Sequence, residues 1–512
     1  MRFLERLTLI VALSILGACA TAPVDYPKTP STAFEDTQDT FYGKRVAALA
    51  SAHPEGGSGF YALGEGIDAL AARLILARRA ERSIDAQYFL IQGDLAGFLF
   101  VDALLEAADR GVRVRLLLDD ILTAGTDEAL AAVQSHPDIE IRIFNPFAHR
   151  SSARNFEYLT DLSRVDHRMH NKSFTVDNQA TIVGGRNIGN EYFDVSAEFE
   201  FADWDLLGLG PVAKEVSTGF DTYWNSKYAV PVEALVESTA DPDAIQKFRK
   251  RYAPILEAES NAHYRAALDS TIIDNMLNAQ LPLSWGMPTV VYDDPEKAEG
   301  SAEEVVTLRS LLRPKVLATE SELLVVSPYF VPLDAGVEAF RTLQDRGVRV
   351  VVLTNSLAST DMVPAHAGYA NYRKELVGIG VEMYEVKPNV SFEDSKRSGR
   401  DFSHSALHAK VFIVDRRFIF VGSYNWDPRS AFLNTEMGLY VDSPPLAELA
   451  AKKLASRLSG HAYRVRLNEA GDMEWVDTSG GDAAVFDDEP LTDFWRRFAA
   501  DVYGILPIEG EL

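Results

Sequence analysis

Six residues, Asp109-Arg110-Gly111-Val112-Arg113-Val114, return as Asp345-Arg346-Gly347-Val348-Arg349-Val350 after 236 positions. Upstream, Tyr88-Phe89 returns as Tyr329-Phe330 after 241. Downstream, His170-Asn171-Lys172 returns as His408-Ala409-Lys410 after 238. Three matches in one order and near one spacing describe a unit written twice. The period is far too long for a solenoid repeat, so each copy is a domain. Two equivalent domains in one chain are expected to pack as a pseudo-dimer.

Each copy carries the same coarse pattern. Residues 83–90 and 322–330 read as strands, and 97–110 and 336–346 as amphipathic helices. The helices end before Gly111 and Gly347, as helix C-terminal glycines do. Residues 112–118 and 348–353 are continuous apolar-rich strands of the kind buried on both faces. Strand, helix, strand predicts a right-handed crossover and a parallel or mixed sheet. The fold class is α/β, with two α/β/α sandwiches meeting at a shared site. The expected domains are residues 58–230 and 289–465. A helical connector over 231–288 joins them, and an acidic extension of no evident role covers 466–512.

The chemistry falls at matching places. His170-x-Lys172 leads to Asp177, then Gly184-Gly185-x-Asn187. His408-x-Lys410 leads to Asp415, then Gly422-Ser423-x-Asn425. The composition predicts on the order of 0.02 chance H-x-K-x4-D matches in the chain, so two extended copies are not coincidence. On a strand, residues i and i+2 share a face, so each His and Lys point into one site. Asp177 and Asp415 lie at opposite parity, and each is expected to hold a turn or neighbouring loop. The glycines are read as letting backbone approach a ligand. Two His, two Lys and two Asn converging on one point suit a tetrahedral phosphate. One imidazole can attack phosphorus while the other protonates the leaving oxygen. Neither metal nor cofactor is called for. His167 and His170, three apart, fall on opposite faces of a strand.

The paired motif identifies the chain as similar to the phospholipase D superfamily. Four stretches resemble bacterial cardiolipin synthases of the C type: residues 168–177, residues 183–189, His366-Ala367-Gly368-Tyr369-Ala370, and Asp427-Pro428-Arg429-Ser430 with Leu433-Asn434-Thr435-Glu436. The resemblance runs from about residue 58 to the C-terminus. It implies transfer of a phosphatidyl group to phosphatidylglycerol, with phosphatidylglycerol or phosphatidylethanolamine as donor. A hydrolytic phospholipase D releasing phosphatidic acid is the alternative, since it shares every catalytic residue. The resemblance makes His170 the nucleophile and His408 the general acid and then base. Lys172, Lys410, Asn187 and Asn425 then bind phosphate. It also implies a downstream carboxylate orienting each histidine. Glu436 fits in the second copy and Asp203 in the first, with Asp205 as competitor. His366, Tyr369, Arg186 and Arg429 are weaker candidates for headgroup contact. His404 reads as solvated, and the Tyr-Phe pairs as core.

The N-terminus reads Arg2 and Arg6, an apolar run over 7–16, then Leu16-Gly17-Ala18-Cys19. The run is too short to span a bilayer comfortably. It resembles a bacterial lipoprotein signal over 1–18, with Cys19, the sole cysteine, as the lipidated residue. By resemblance to enterobacterial lipoprotein sorting, Ala20 after it implies the outer membrane, at its periplasmic face. Residues 19–57, rich in Pro, Thr, Ser, Asp and Gly, read as a tether. With 50 Lys plus Arg against 75 Asp plus Glu, the net charge is −25. Loss of Arg2, Arg6 and Glu5 with the signal makes it −26. Nucleic-acid binders usually carry a basic surplus, so nucleic acid is an unlikely partner.

Overall fold

The computed structural model describes residues 23–512 apart from 54, 149, 151–156, 158–160, 194–199, 237–240, 242, 260–269, 279, 301–304, 389–404 and 480–482. The expected signal and Cys19 therefore lie outside the described residues, as does His404.

In the first half, strands Ser83–Tyr88, Arg113–Asp119 and Ile139–Phe144 run parallel. The helix Leu95–Asp109 makes the crossover between the first two. It starts on an Asp94 side-chain cap and ends before Gly111, whose φ of 86° suits glycine. Ser83–Tyr88 then pairs antiparallel with Ser173–Val176. That strand turns through Asp177-Asn178 into Ala180–Gly184, which pairs with Asp205–Leu209. The second half repeats this with Glu322–Val326, Arg349–Asn355 and Glu382–Val386 in parallel, followed by Val411–Val414, Phe418–Gly422 and Met437–Asp442. Both hairpins turn on two left-handed residues, Asp177 and Asn178 or Asp415 and Arg416, with φ of 51–52°.

Among the described residues the two half-sheets form one 18-stranded sheet, joined where Ser58–Leu63 pairs antiparallel with Ser284–Tyr292. A strand from each half meeting antiparallel is what a two-fold relation between copies requires. One apolar cluster spans the join. It packs Phe60, Val183, Leu206 and Val216 with Leu324, Leu353, Val411, Val421 and Leu439. Each half also has its own core between helices and sheet.

Three expected boundaries are corrected. Residues 28–52 are not a free tether. Lys28 Nζ donates to Ser226 and Ala229 carbonyls, Thr37 is wholly buried, and the helix Phe41–Ala52 places Tyr42 in the first core. The polar composition of this arm concealed a segment held by specific hydrogen bonds rather than apolar periodicity. The connector contains the helices Ala244–Glu259 and Thr271–Leu277, but its end already belongs to the joining strand Ser284–Tyr292. Beyond residue 466, strands Met473–Asp477 and Ala484–Phe486 lengthen the second sheet, and the helix Phe494–Ile505 packs on Val363–Gly378. The extension is part of the second half.

Candidate active site

Short parallel bridges clasp the halves at the site. Ser405–Leu407 pairs with Glu200–Ala202, so His408 follows its strand as Asp203 follows its partner. Met169 bridges Thr435, so His170 stands beside Glu436 in the same way. The His170 N–H donates to the Thr435 carbonyl at 2.8 Å, and the Thr435 N–H to the Arg168 carbonyl at 2.8 Å.

This register crosses the carboxylates. His170 Nδ1 lies 3.0 Å from Glu436, and His408 Nδ1 lies 2.6 Å from Asp203. The expectation that each copy's carboxylate serves its own histidine is therefore corrected: each serves the other copy's. A carboxylate on Nδ1 holds the proton there, so Nε2 is the nitrogen that can carry chemistry. Asp205, the competitor to Asp203, instead pairs with the buried Arg73 at 2.9 Å and Arg186 at 3.4 Å.

All six groups are buried. Lys172 Nζ donates to the His170 carbonyl at 2.6 Å, and Lys410 Nζ does the same to the His408 carbonyl. Burial and the two lysines hold His170 well below the ordinary imidazole range. Burial and Lys410 push His408 down to about 4. Burial lowers Lys172 strongly, and Lys410 to about 8. The carboxylates diverge. Burial pushes Glu436 up to about 7 against the pull of Lys172. At Asp203 burial also raises, but His408, Lys410 and Arg186 overcome it and hold the carboxyl well below its usual range. An ionised Asp203 cannot donate, so the shared proton sits on His408 Nδ1. Lys410 Nζ, 2.9 Å from that nitrogen, then opposes further charging.

Asn187 Nδ2 donates to Tyr192 OH at 3.0 Å, and the Asn425 N–H to Ser430 Oγ at 3.2 Å. Both Asn Oδ1 atoms are buried without a hydrogen-bond partner among the described residues. Such unfinished polar atoms suit a site completed by ligand. The glycines serve a different purpose from the expected one. A Cβ on Gly185 would stand 2.4 Å from Asp203 Oδ1, and one on Gly184 2.1 Å from Asp205 Oδ1. Gly184 and Gly185 admit carboxylates rather than ligand, and Gly422 admits the backbone of the neighbouring strand at Met437 and Gly438.

Asp177 and Asp415 face away from the histidines. Asp177 accepts the N–H groups of Glu81, Arg82 and Ser83, and Asp415 those of Glu320, Ser321 and Glu322. Each fastens its hairpin to the loop entering the first strand of its half. Arg186 is wholly buried and donates to the carbonyls of Leu63, Gly64, Tyr192 and Asp203, so it braces Asp203 rather than reaching a headgroup. Tyr369 and His366 belong to another buried network with Glu385, Arg373 and Glu489. Arg429 pairs with Asp166 at 2.9 Å. The Tyr-Phe pairs divide. Tyr88 and Phe330 lie in the cores, but the Phe89 and His170 rings meet near-perpendicular with centroids 5.1 Å apart, and Tyr329 OH donates to Asp361 at 2.9 Å.

Sequence reading missed the groups that hold the backbone before each histidine. Asp119 Oδ2 accepts the Met169 N–H at 2.8 Å, and Asn355 Oδ1 accepts the Leu407 N–H at 2.9 Å. They lie 236 positions apart, the offset of the repeat beside them. That offset was the available signal. Glu436 is braced too, its N–H donating to Asp293, which is paired with the buried Lys297 at 2.9 Å.

Comparisons with known proteins bear on family and fold. A family model described as "Cardiolipin synthase, PLD-like domain" matches residues 74–224 and 314–458, one match per half. Cardiolipin synthase C of Escherichia coli strain K12 is 40% identical over 468 residues, 91% of this chain and 98% of its own length. An uncharacterized protein of Helicobacter pylori strain J99 is 30% identical over 514 residues, 99% of each chain. The crystal structure of phosphatidylserine synthase from Haemophilus influenzae Rd KW20 superposes with a TM-score of 0.55 at 16% identity. It covers 90% of this chain and 99% of that one, a likeness of fold. With both halves matched and a relative aligned over nearly its whole length, the chain belongs to the PLD-like, cardiolipin synthase family.

Proposed function

We propose that this PLD-type phosphatidyltransferase moves a phosphatidyl group onto the headgroup alcohol of phosphatidylglycerol through a phosphohistidine. The observation that carries the mechanism is the crossed, unequal carboxylate pair. His170 is the more suitable nucleophile. Burial and the two lysines keep it neutral, and its Nδ1 faces Glu436 at 3.0 Å, which makes Nε2 the attacking nitrogen in this reading. His408 is the better proton carrier, because ionised Asp203 on its Nδ1 stabilises the imidazolium. A bound phosphodiester anion adds to that stabilisation and raises His408 from its value in the empty site.

In the first step His170 Nε2 forms a bond to phosphorus. The bond from phosphorus to the leaving headgroup oxygen breaks, and His408 gives that oxygen its Nε2 proton. In the second step neutral His408 takes the proton from the acceptor alcohol. The alcohol oxygen bonds to phosphorus, the P–N bond breaks, and His170 returns to its neutral form. Lys172 and Lys410 neutralise the phosphate throughout. The donor is phosphatidylglycerol or phosphatidylethanolamine. A lipidated Cys19 would hold the enzyme at the periplasmic face of the outer membrane. That anchor accounts for membrane attachment in a chain of net charge −25.

The test is incubation of the purified chain with phosphatidylglycerol, with and without phosphatidylethanolamine. Cardiolipin that disappears in His170→Ala supports the reading. Phosphatidic acid as the sole product overturns it in favour of hydrolysis.

A further inference from the structure

We infer that the C-terminal helix Phe494–Ile505 is an interfacial element that seats the mouth of the site on a phospholipid bilayer, an inference that rests on the phospholipid reading above. The helix is 12 residues long and none of them is buried. Helical geometry gathers Phe494, Trp495, Phe498, Val502 and Ile505 into one sector of about 100°. That sector faces outward: Trp495 is 72% and Ile505 84% exposed. The opposite side, with Arg496, Ala500 and Gly504, faces the protein. Arg496 donates to the carbonyls of Leu357 and Thr360 at 2.6 Å, and Asn371 Nδ2 donates to the Gly504 carbonyl at 3.3 Å. A helix on a protein surface in water ordinarily turns its apolar face inward. This one is inverted, so its outer face is matched to an apolar medium.

The position and chemistry of that face select the medium. Arg496 ties the helix to the loop that ends at Asp361, the carboxylate bonded to Tyr329 and among the charges that face Lys410. The chain then runs on to Leu512, whose carbonyl accepts the Arg429 N–H at 2.6 Å, and Arg429 pairs with Asp166, four residues before His170. Met362 and Phe432 are exposed on these same two loops. The apolar rim therefore borders the loops flanking the site, where a lipid substrate must enter. Trp and Phe beside Val and Ile make up a side-chain mixture favoured at a bilayer interface. A second copy is a poorer occupant. Two three-turn helices laid together offer on the order of several hundred Å², below the ~1,000 Å² of a stable interface. Arg496 is spent on backbone carbonyls and Arg497 pairs with Asp488 at 3.2 Å, while Asp493 and Asp501 add negative charge to the same segment, so apolar burial rather than attraction to anionic lipid drives the contact.

The experiment uses the full-length chain in vesicles of phosphatidylglycerol and phosphatidylethanolamine containing phosphatidylcholine with brominated acyl chains. Comparison with Trp495→Phe isolates the Trp495 emission, which should be quenched by the bromines whatever holds the N-terminus. A second variant, Trp495→Ser/Phe498→Ser/Ile505→Ser, changes only exposed side chains. Its turnover of vesicle lipid should fall about tenfold with loss of the buried apolar area. Its turnover of short-chain phosphatidylglycerol below the micelle concentration should equal the wild type. Absent Trp495 quenching with unchanged vesicle turnover overturns the inference. So does a dimer, seen by sedimentation in detergent, that the triple variant dissolves. Quenching of Trp495 in a wild-type chain inactive on the short-chain lipid supports the docking and removes only the functional reading.

Discussion

The two halves share strand order, hairpin geometry and motif, yet they differ where charge is handled. The first half lends Asp203 to His408, and the second lends Glu436 to His170. Both carboxylates are buried, but Asp203 stays ionised while Glu436 is pushed up to about 7. Arg186 supplies part of the reason, since it stands beside Asp203, whereas Ser423, a neutral hydroxyl, stands beside Glu436. The duplicated site thus has two unequal ends, as the proposed two-step transfer requires of a nucleophile and a proton carrier.

The sharpest way to break this contrast is to remove each imidazole. His170→Ala and His408→Ala should each lower turnover by roughly 10³-fold or more. Only His408→Ala should still form a covalent adduct, trapped by detergent denaturation without acid, with a lipid bearing a good leaving group. An adduct in His170→Ala would reverse the assignment. Next come the carboxylates. Asp203→Asn and Glu436→Gln should each cost roughly 10²-fold. The Asp203 loss should shrink with an activated leaving group, because only that variant lacks the support for imidazolium. Equal sensitivity in both variants would make the ends equivalent.

The lysines give a smaller effect in ordinary buffers. Lys410, with its pKa lowered to about 8, carries its charge below that pH and loses it above. kcat/KM should therefore fall on the alkaline side of pH ~8, and Lys410→Arg should extend the plateau upward if it retains activity. A flat profile to pH 10 would show that Lys410 stays charged in the site. The smallest effect concerns the motif aspartates. Asp177→Asn and Asp415→Asn should each destabilise by about 1–3 kcal/mol through lost bonds to backbone N–H groups. Denaturant midpoints should move more for the buried Asp177 than for the partly exposed Asp415. Turnover per folded molecule should barely change, and a large loss would give the aspartates a chemical role.

Much of this was legible in residue order. The repeat announced two α/β halves, and the parity of His170, Lys172 and Asp177 separated the groups that enter the site from those that leave it. What stayed hidden depended on contacts between copies. Alignment within a copy ranked Asp203 and Glu436 as orienting groups but assigned each to the wrong histidine. Arg186 looked like a headgroup ligand because a charged residue in a Gly-rich motif gives no sign of complete burial. Asp119 and Asn355 stood at the repeat offset, but an acid and an amide have no common chemistry until both accept an N–H beside a histidine. The arm over 28–52 had a linker's composition, and only its partners show that it is docked.

By itself, then, the sequence determined the duplication, the α/β class and the identity of the six polar groups. Periodicity and spacing are local properties, and a repeated motif repeats its local geometry. Only the tertiary structure decided which carboxylate meets which histidine, the observation on which the proposed choice of nucleophile rests. Those facts come from two parallel bridges between halves, Met169 with Thr435 and Leu407 with Ala202. A register between segments more than 200 residues apart is set by packing across the joint, and no spacing along the chain encodes it.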